Sequence, residues 1–280
     1  MPRFFCYPDL TRQIKYNRPV TRDTDVTKFS ANLGFLFTEL PLPAAIESAA
    51  QHGFDAVECH FPYSTPATDT VAALKKTGLR MLGLNTIKGD ESKGDNGLCA
   101  IPERIEEAHA AIDQAIDYAA QINTPNVHVM AGNASGPGAD KTYLDNLRYA
   151  TSKAAEHDIN ILIEPLNPYD APGYYLNTTD QAEKIIEAVN ADNLRLMFDC
   201  YHVQIIEGDV CRRMKSLMPI IGHIQIASVP ERSEPDNGEL DYGYVLGALN
   251  ELGFTAPVGA EYKPATTTEA GLAWMQKLRK

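Results

Sequence analysis

The chain has 280 residues, 44% of them hydrophobic, and a formal net charge of −12. That length supports one large core, the acidity argues against a nucleic-acid surface, and no apolar run approaches the roughly 18 residues of a membrane span. Five cysteines (Cys6, Cys59, Cys99, Cys200 and Cys211), odd in number and without a Cys-x-x-Cys pair, fit reduced thiols in a cytoplasmic protein.

Residues 1–28 hold six Lys/Arg against three Asp and lack a periodic apolar face. They read as a disordered or loosely docked extension. A secretory signal is excluded, because no apolar stretch of about 7–15 residues is present. The segment is expected to be dispensable: a chain starting at Lys28 should fold and turn over normally, and loss of solubility or activity on truncation would show that the extension packs on the rest.

From Phe29 onward, strand-like and helix-like segments alternate. Strands are predicted over 29–36, 55–61, 80–86, 126–132, 160–167, 194–201, 221–228 and 256–263, each short, apolar and rich in β-formers. Amphipathic helices are predicted over 43–52, 67–77, 103–121, 141–157, 179–190, 205–218, 241–252 and 267–279. Start signals such as Thr179-Asp180 and Pro102-Glu103, and stops at Gly53, Gly78 and Gly253, punctuate them. Strict alternation implies a parallel sheet, and eight units favour closure into a single-domain (β/α)8 TIM barrel. An open doubly wound sheet is the runner-up, but no Gly-x-Gly-x-x-Gly follows the first strand.

Four of the later apolar runs lead into a residue able to bind a metal: Glu164, Asp199, Gln225 and Glu261, at intervals of 35, 26 and 36 residues. A barrel unit averages about 31, so these residues fall at successive strand ends, where such barrels carry their chemistry. Three carboxylates and an amide suit one divalent cation of the Mg²⁺ or Mn²⁺ type. Side chains alternate along a strand, so Glu164 shares a face with Leu162 and Leu166, Asp199 with Met197 and Tyr201, Gln225 with His223 and Ala227, and Glu261 with Gly259 and Lys263. Arg232 and Lys263 are candidates to hold a substrate carboxylate. Asn32, Asn85, Phe35, Phe37 and Tyr63 are candidates to line the pocket. His128 and His223 read as packed strand histidines, and His60 and His109 as surface or core residues.

The segments Ser30-Ala31-Asn32-Leu33, Asn85-Thr86 with Gly89-Asp90, His128-Val129-Met130-Ala131-Gly132, Asp199-x-x-His202, His223-Ile224-Gln225-Ile226-Ala227 and Gly259-Ala260-Glu261-Tyr262-Lys263-Pro264 resemble the hydroxypyruvate isomerase family of xylose-isomerase-like barrels. The likeness runs from Phe29 to the C-terminus, and Phe5–Lys28 reads against it as an insertion. The resemblance implies a small hydroxy-keto acid substrate, isomerised between hydroxypyruvate and tartronate semialdehyde through an enediolate. Glu164 and Glu261 would be the proton-transfer pair, Asp199 and Gln225 would complete the metal shell, and His202 would contact a substrate oxygen. Neighbouring readings are a 2-oxo-tetronate isomerase, a ketose 3-epimerase (disfavoured because related epimerases place His where Gln225 stands), a metal nuclease, which would need a His-rich zinc set and a basic face, and a non-catalytic binding barrel. A homo-oligomer is compatible with all of them.

Overall fold

A computed structural model describes residues 27–279; the predicted extension, apart from Thr27 and Lys28, lies outside the described residues. Eight strands form one all-parallel sheet: β1 (Phe29–Asn32), β2 (Ala56–Glu58), β3 (Leu84–Asn85), β4 (Asn126–His128), β5 (Asn160–Ile163), β6 (Leu194–Asp199), β7 (Ile221–Ile226) and β8 (Val258–Ala260). Their order is β2-β1-β8-β7-β6-β5-β4-β3. The two ends of this order meet through a Val57–Met81 bridge and through the amides of Cys59 and Asn85, which donate to the carbonyls of Gly83 and His60. The sheet is therefore a nearly closed barrel. Lys28 joins its N-terminal rim, where its carbonyl accepts from the Val258 amide.

Ten α-helical segments occupy the described residues outside the sheet: α1 (Leu42–Gln51), α2 (Ala67–Thr77), α3 (Ile105–Gln121), α4 (Pro137–Ala155), α5 (Thr179–Val189), α6 (Cys200–Ile206), α7 (Val210–Leu217), α8 (Tyr242–Glu251), α9 (Thr268–Gly271) and α10 (Ala273–Leu278). Every predicted strand and helix has an observed counterpart, but the strands are shorter. The expected strand 194–201 stops at Asp199, because the Asp199 side chain accepts from the Tyr201 amide and caps α6. The expected helix 205–218 is two helices, broken at Asp209, whose φ is +51°.

Strand parity divides the core into two layers. Ile161, Ile163, Leu196, Phe198, Ile224 and Ile226 are buried in the continuous apolar cluster that the strands share with the helices. Residues of opposite parity, Leu162, Met197, His223 and Gln225, instead surround a small void inside the barrel, together with Asn32 and Glu58. Burying an aliphatic side chain of the outer layer contributes about 1.5–3 kcal/mol, which holds the strands in this register. A one-residue slip would exchange the two layers and place carboxylates among the helices. Residue Gly222 forms a bulge between β6 and β7, where pairing shifts from Leu196–Ile221 to Met197–His223. That extra residue aligns Asp199 with Gln225.

Candidate active site

The carboxyl ends of the strands open into a cavity of about 770 Å³, lined among others by His60, Asn85, Lys88, Glu164, His202, Arg232 and Glu261. Glu164 and Glu261 each sit one residue past a strand, after Ile163 and Ala260, while Asp199 ends β6 and Gln225 lies within β7. All four side chains are buried. They do not form one uniform ring. Glu164, Asp199 and Glu261 gather around Arg232, and Gln225 reaches down to Glu58 in the barrel interior.

Glu261 is the most fully bonded of the set. Its Oε1 accepts from Asn32 Nδ2 and His60 Nε2, both at 2.9 Å, and its Oε2 from Arg232 Nη2 at 2.6 Å. Pairing of Ala31 with Ala260 brings Asn32 beside Glu261. Burial alone would raise the Glu261 pKa, but the Arg232 charge and the His60 hydrogen bond outweigh it and hold the carboxyl down at about 2.

Glu164 and Asp199 are in the opposite condition. Glu164 Oε1 and Asp199 Oδ2 are buried with no hydrogen-bond partner, and the nearest cationic or imidazole atoms stand off: His128 Nδ1 is 3.6 Å from Glu164, and Arg232 Nη2 and His202 Nε2 are each 3.7 Å from Asp199. Burial and the neighbouring carboxylates raise Glu164 well above the ordinary carboxylate range and push Asp199 up to about 7. A raised folded-state pKa means that the folded chain binds more protons than the unfolded one, so this stability is present at low pH and lost as pH rises through the folded value. Melting temperature of chelator-treated protein should therefore fall between the ordinary carboxylate value of 4.5 and about 7, a window in which Glu261 stays ionised. Saturating Mg²⁺ or Mn²⁺ should flatten that dependence. A chelator-treated protein whose melting temperature rises across the same window would contradict this charge distribution.

His202 lies on α6, with Nδ1 accepting from the Asn167 amide at 3.0 Å and from its side-chain Nδ2 at 2.8 Å. The neutral ring, favoured by burial and by the Arg232 charge, then carries its proton on Nε2. One ligand atom each of Glu164, Asp199 and His202 lies within 4.8 Å of the others, but Nε2–H is a donor and cannot ligate a cation in that tautomer. Its geometry suits a substrate oxygen.

Arg232 is set by backbone as well as charge. Its φ is +51°, and its guanidinium lies 4.9 Å from both the Phe35 and Tyr201 ring centres, donating also to Asp170 at 3.1 Å. Lys263 does not join the cluster: its side chain is exposed, its Nζ is 5.9 Å from the Phe35 ring, and it is not among the residues lining the cavity. The strand ends at Ala260, so the alternation that pairs Lys263 with Glu261 in the sequence does not extend that far. Asn85 lines the cavity, and its carbonyl accepts the Tyr63 hydroxyl. Phe37 is fully buried in the core, away from the cavity.

Sequence reasoning missed Glu58 and His60. Both follow the apolar pair Ala56-Val57 at alternate positions, the same signal that marks the later strands. His60 contacts Glu261, and the two expected packing histidines also face polar partners: His223 Nε2 lies 2.5 Å from Glu58 Oε2, and His128 faces Glu164. His109 stacks on Tyr149 at 3.8 Å, outside the site.

The donor set fits a hard divalent cation. Three of the four expected ligands, Glu164, Asp199 and Gln225, each present a buried oxygen without a partner, which is costly unless a cation or donor completes it. Glu261 would have to release part of its present contacts to serve as the fourth.

A nearly closed parallel barrel with buried carboxylates at the carboxyl ends of its strands defines an α/β-barrel enzyme. The chain belongs to the xylose isomerase-like TIM barrel family, whose model matches residues 46–278. The 2-oxo-tetronate isomerase of Cupriavidus necator is 42% identical over 253 residues, covering 89% of this chain and 97% of the relative. The hydroxypyruvate isomerase of Escherichia coli is 39% identical over 256 residues, covering 90% and 99%. A crystal structure described as an AP endonuclease, family 2, from Brucella melitensis superposes with a TM-score of 0.87 at 37% identity, over 91% of this chain and all of that one. The D-psicose 3-epimerase of Clostridium cellulolyticum H10 shares the fold at a TM-score of 0.73 and 16% identity, over 88% and 89% of the two chains. On these relatives the chain is an isomerase.

Proposed function

We propose that the chain interconverts hydroxypyruvate and tartronate semialdehyde by proton transfer between Glu164 and Glu261. The observation that carries this reading is the unlike bonding of two buried glutamates on one cavity, Glu261 held by Asn32, His60 and Arg232 and Glu164 with an unpartnered oxygen. Carboxyls whose environments push their pKa values apart are suited to act as base and acid in one reaction.

In hydroxypyruvate the carbonyl carbon C2 stands between the carboxylate and the hydroxymethyl carbon C3. The Glu261 carboxylate takes a proton from C3, leaving an enediolate with its charge on the C2 oxygen. Glu164 returns a proton to C2, while a proton passes from the C3 hydroxyl to the C2 oxygen, giving the aldehyde at C3 and the alcohol at C2. The reverse reaction exchanges the roles. His202 Nε2–H donates to a substrate oxygen, and the Arg232 guanidinium, which lines the cavity, meets the substrate carboxylate, with Asn85 and Lys88 on the cavity wall. Asn32 serves through Glu261, which it orients. Glu164, Asp199, Gln225 and Glu261 would hold Mg²⁺ or Mn²⁺, and such a cation polarises the substrate carbonyl and offsets enediolate charge.

The four-carbon 2-oxo-tetronate is the second reading, favoured by relatives of that name at 42% and 40% identity. A nuclease is disfavoured by the acid-rich cluster and the net charge of −12. The test is a coupled assay comparing hydroxypyruvate, 2-oxo-tetronate and a free ketohexose. The two acids should be turned over with the higher kcat/KM, since a neutral sugar offers no anion to the Arg232 guanidinium and the Lys88 ammonium on the cavity wall. Preference for the ketohexose would overturn the proposal.

A further inference from the structure

Below the acid cluster, the barrel interior holds a second buried polar set. Glu58 reaches from β2 past β1 and β8 to β7, where its Oε2 lies 2.5 Å from His223 Nε2 and its Oε1 lies 3.5 Å from Gln225 Nε2. The space for this crossing exists because residue 259 is glycine. A Cβ there would stand 2.3 Å from Glu58 Oε1, 2.8 Å from Gln225 Cγ and 3.0 Å from His223 Nε2.

We propose that Glu58, anchored by His223, is a positioning residue that turns the Gln225 amide so that its oxygen faces the cation position. Glu58 Oε1 stands as an acceptor toward the Gln225 amide. The amide end beside Glu58 is therefore Nε2, because the flipped amide would set oxygen against oxygen. Gln225 Oε1 is consequently directed away from Glu58, and it is buried with no partner. Strand register places it level with Asp199, whose Oδ2 is likewise unpartnered. Side-chain amides ligate hard cations through oxygen and not nitrogen, so the orientation decides whether Gln225 is a ligand at all. The inference rests on the reading of Gln225 as a metal ligand.

The experiment is calorimetric titration of Mn²⁺ into metal-free full-length chain, with melting curves confirming that each variant folds. In Glu58→Gln the amide oxygen is taken by the His223 Nε2 donor and the NH2 faces Gln225, whose oxygen turns toward it and away from the cation position, so Mn²⁺ affinity should fall by roughly 10–100-fold, the usual effect of losing an outer-shell partner. Combining Glu58→Gln with Gln225→Glu reverses donor and acceptor. The carboxylate introduced on β7 accepts from the amide introduced on β2 and offers an oxygen in either orientation, so affinity should return to within a few-fold of the starting protein. If Glu58→Gln does not fold, Glu58→Asp against Glu58→Asn repeats the contrast, the acceptor-only variant binding Mn²⁺ more tightly than the donor-bearing one. Unchanged affinity in the donor-bearing variant, or a loss that the double substitution fails to restore, overturns the inference while leaving the metal reading intact. Absence of Mn²⁺ binding by the unsubstituted chain overturns the metal reading and this inference with it.

Discussion

Glu261→Gln and Glu164→Gln should each lower kcat by at least roughly 10²–10⁴-fold, the loss associated with removing a positioned general acid or base. The Glu261 substitution is the more disruptive locally. The carboxylate accepts from Asn32, His60 and Arg232 at once, and an amide must turn an N–H toward at least one of these donors. Glu164→Gln changes fewer contacts, because Glu164 Oε1 has no partner to lose. Its effect on kcat with little change in melting temperature would separate chemistry from folding. Turnover of the unsubstituted enzyme in deuterated water, followed by NMR, should place deuterium on carbon in the product. Complete retention of the substrate's own hydrogen, with full activity in both variants, would rule out proton transfer between these residues.

Removal of the cation should have an equally large effect. Dialysis against a chelator is expected to abolish turnover, and Mg²⁺ or Mn²⁺ to restore it. Asp199→Ala should remove both bound metal and activity, but it also deletes the cap of α6 made through the Tyr201 amide, a loss of typically about 1 kcal/mol. Asp199→Asn is the sharper substitution. Its side-chain oxygen still caps the helix while the charge is gone, so elemental analysis should find less bound metal in a protein that melts close to the starting temperature. Full turnover by a rigorously metal-free preparation would overturn the metal assignment.

The barrel and the four strand-end residues were legible in the sequence because both are local patterns. An apolar run such as Ile161-Ile163 states its own burial, and the polar residue that closes it must either leave the core or find partners inside. Glu164, Asp199 and Glu261 follow that rule, while Gln225 lies one residue inside the end of β7. The same logic applied to Ala56-Val57 would have found Glu58 and His60, which lie outside the regularly spaced series in the second half of the chain that singled out the other four.

Tertiary structure decided what depends on distance through space. Lys263 and Arg232 are equal candidates by charge and position in the chain, yet Arg232 lies among three carboxylates and Lys263 stands outside the cavity, because the loop after β7 folds inward with a positive φ and β8 ends before Lys263. The pair Glu164 and Glu261 is likewise symmetrical in sequence. Only tertiary packing supplies Glu261 with Arg232, His60 and Asn32 while leaving Glu164 Oε1 unpartnered beside other carboxylates, so the opposite directions of the two pKa shifts arise from neighbours 29, 201 and 229 residues away from Glu261 in the chain. Coulomb energy and hydrogen bonding act across space, whereas the residue pattern of a strand records only which face is buried.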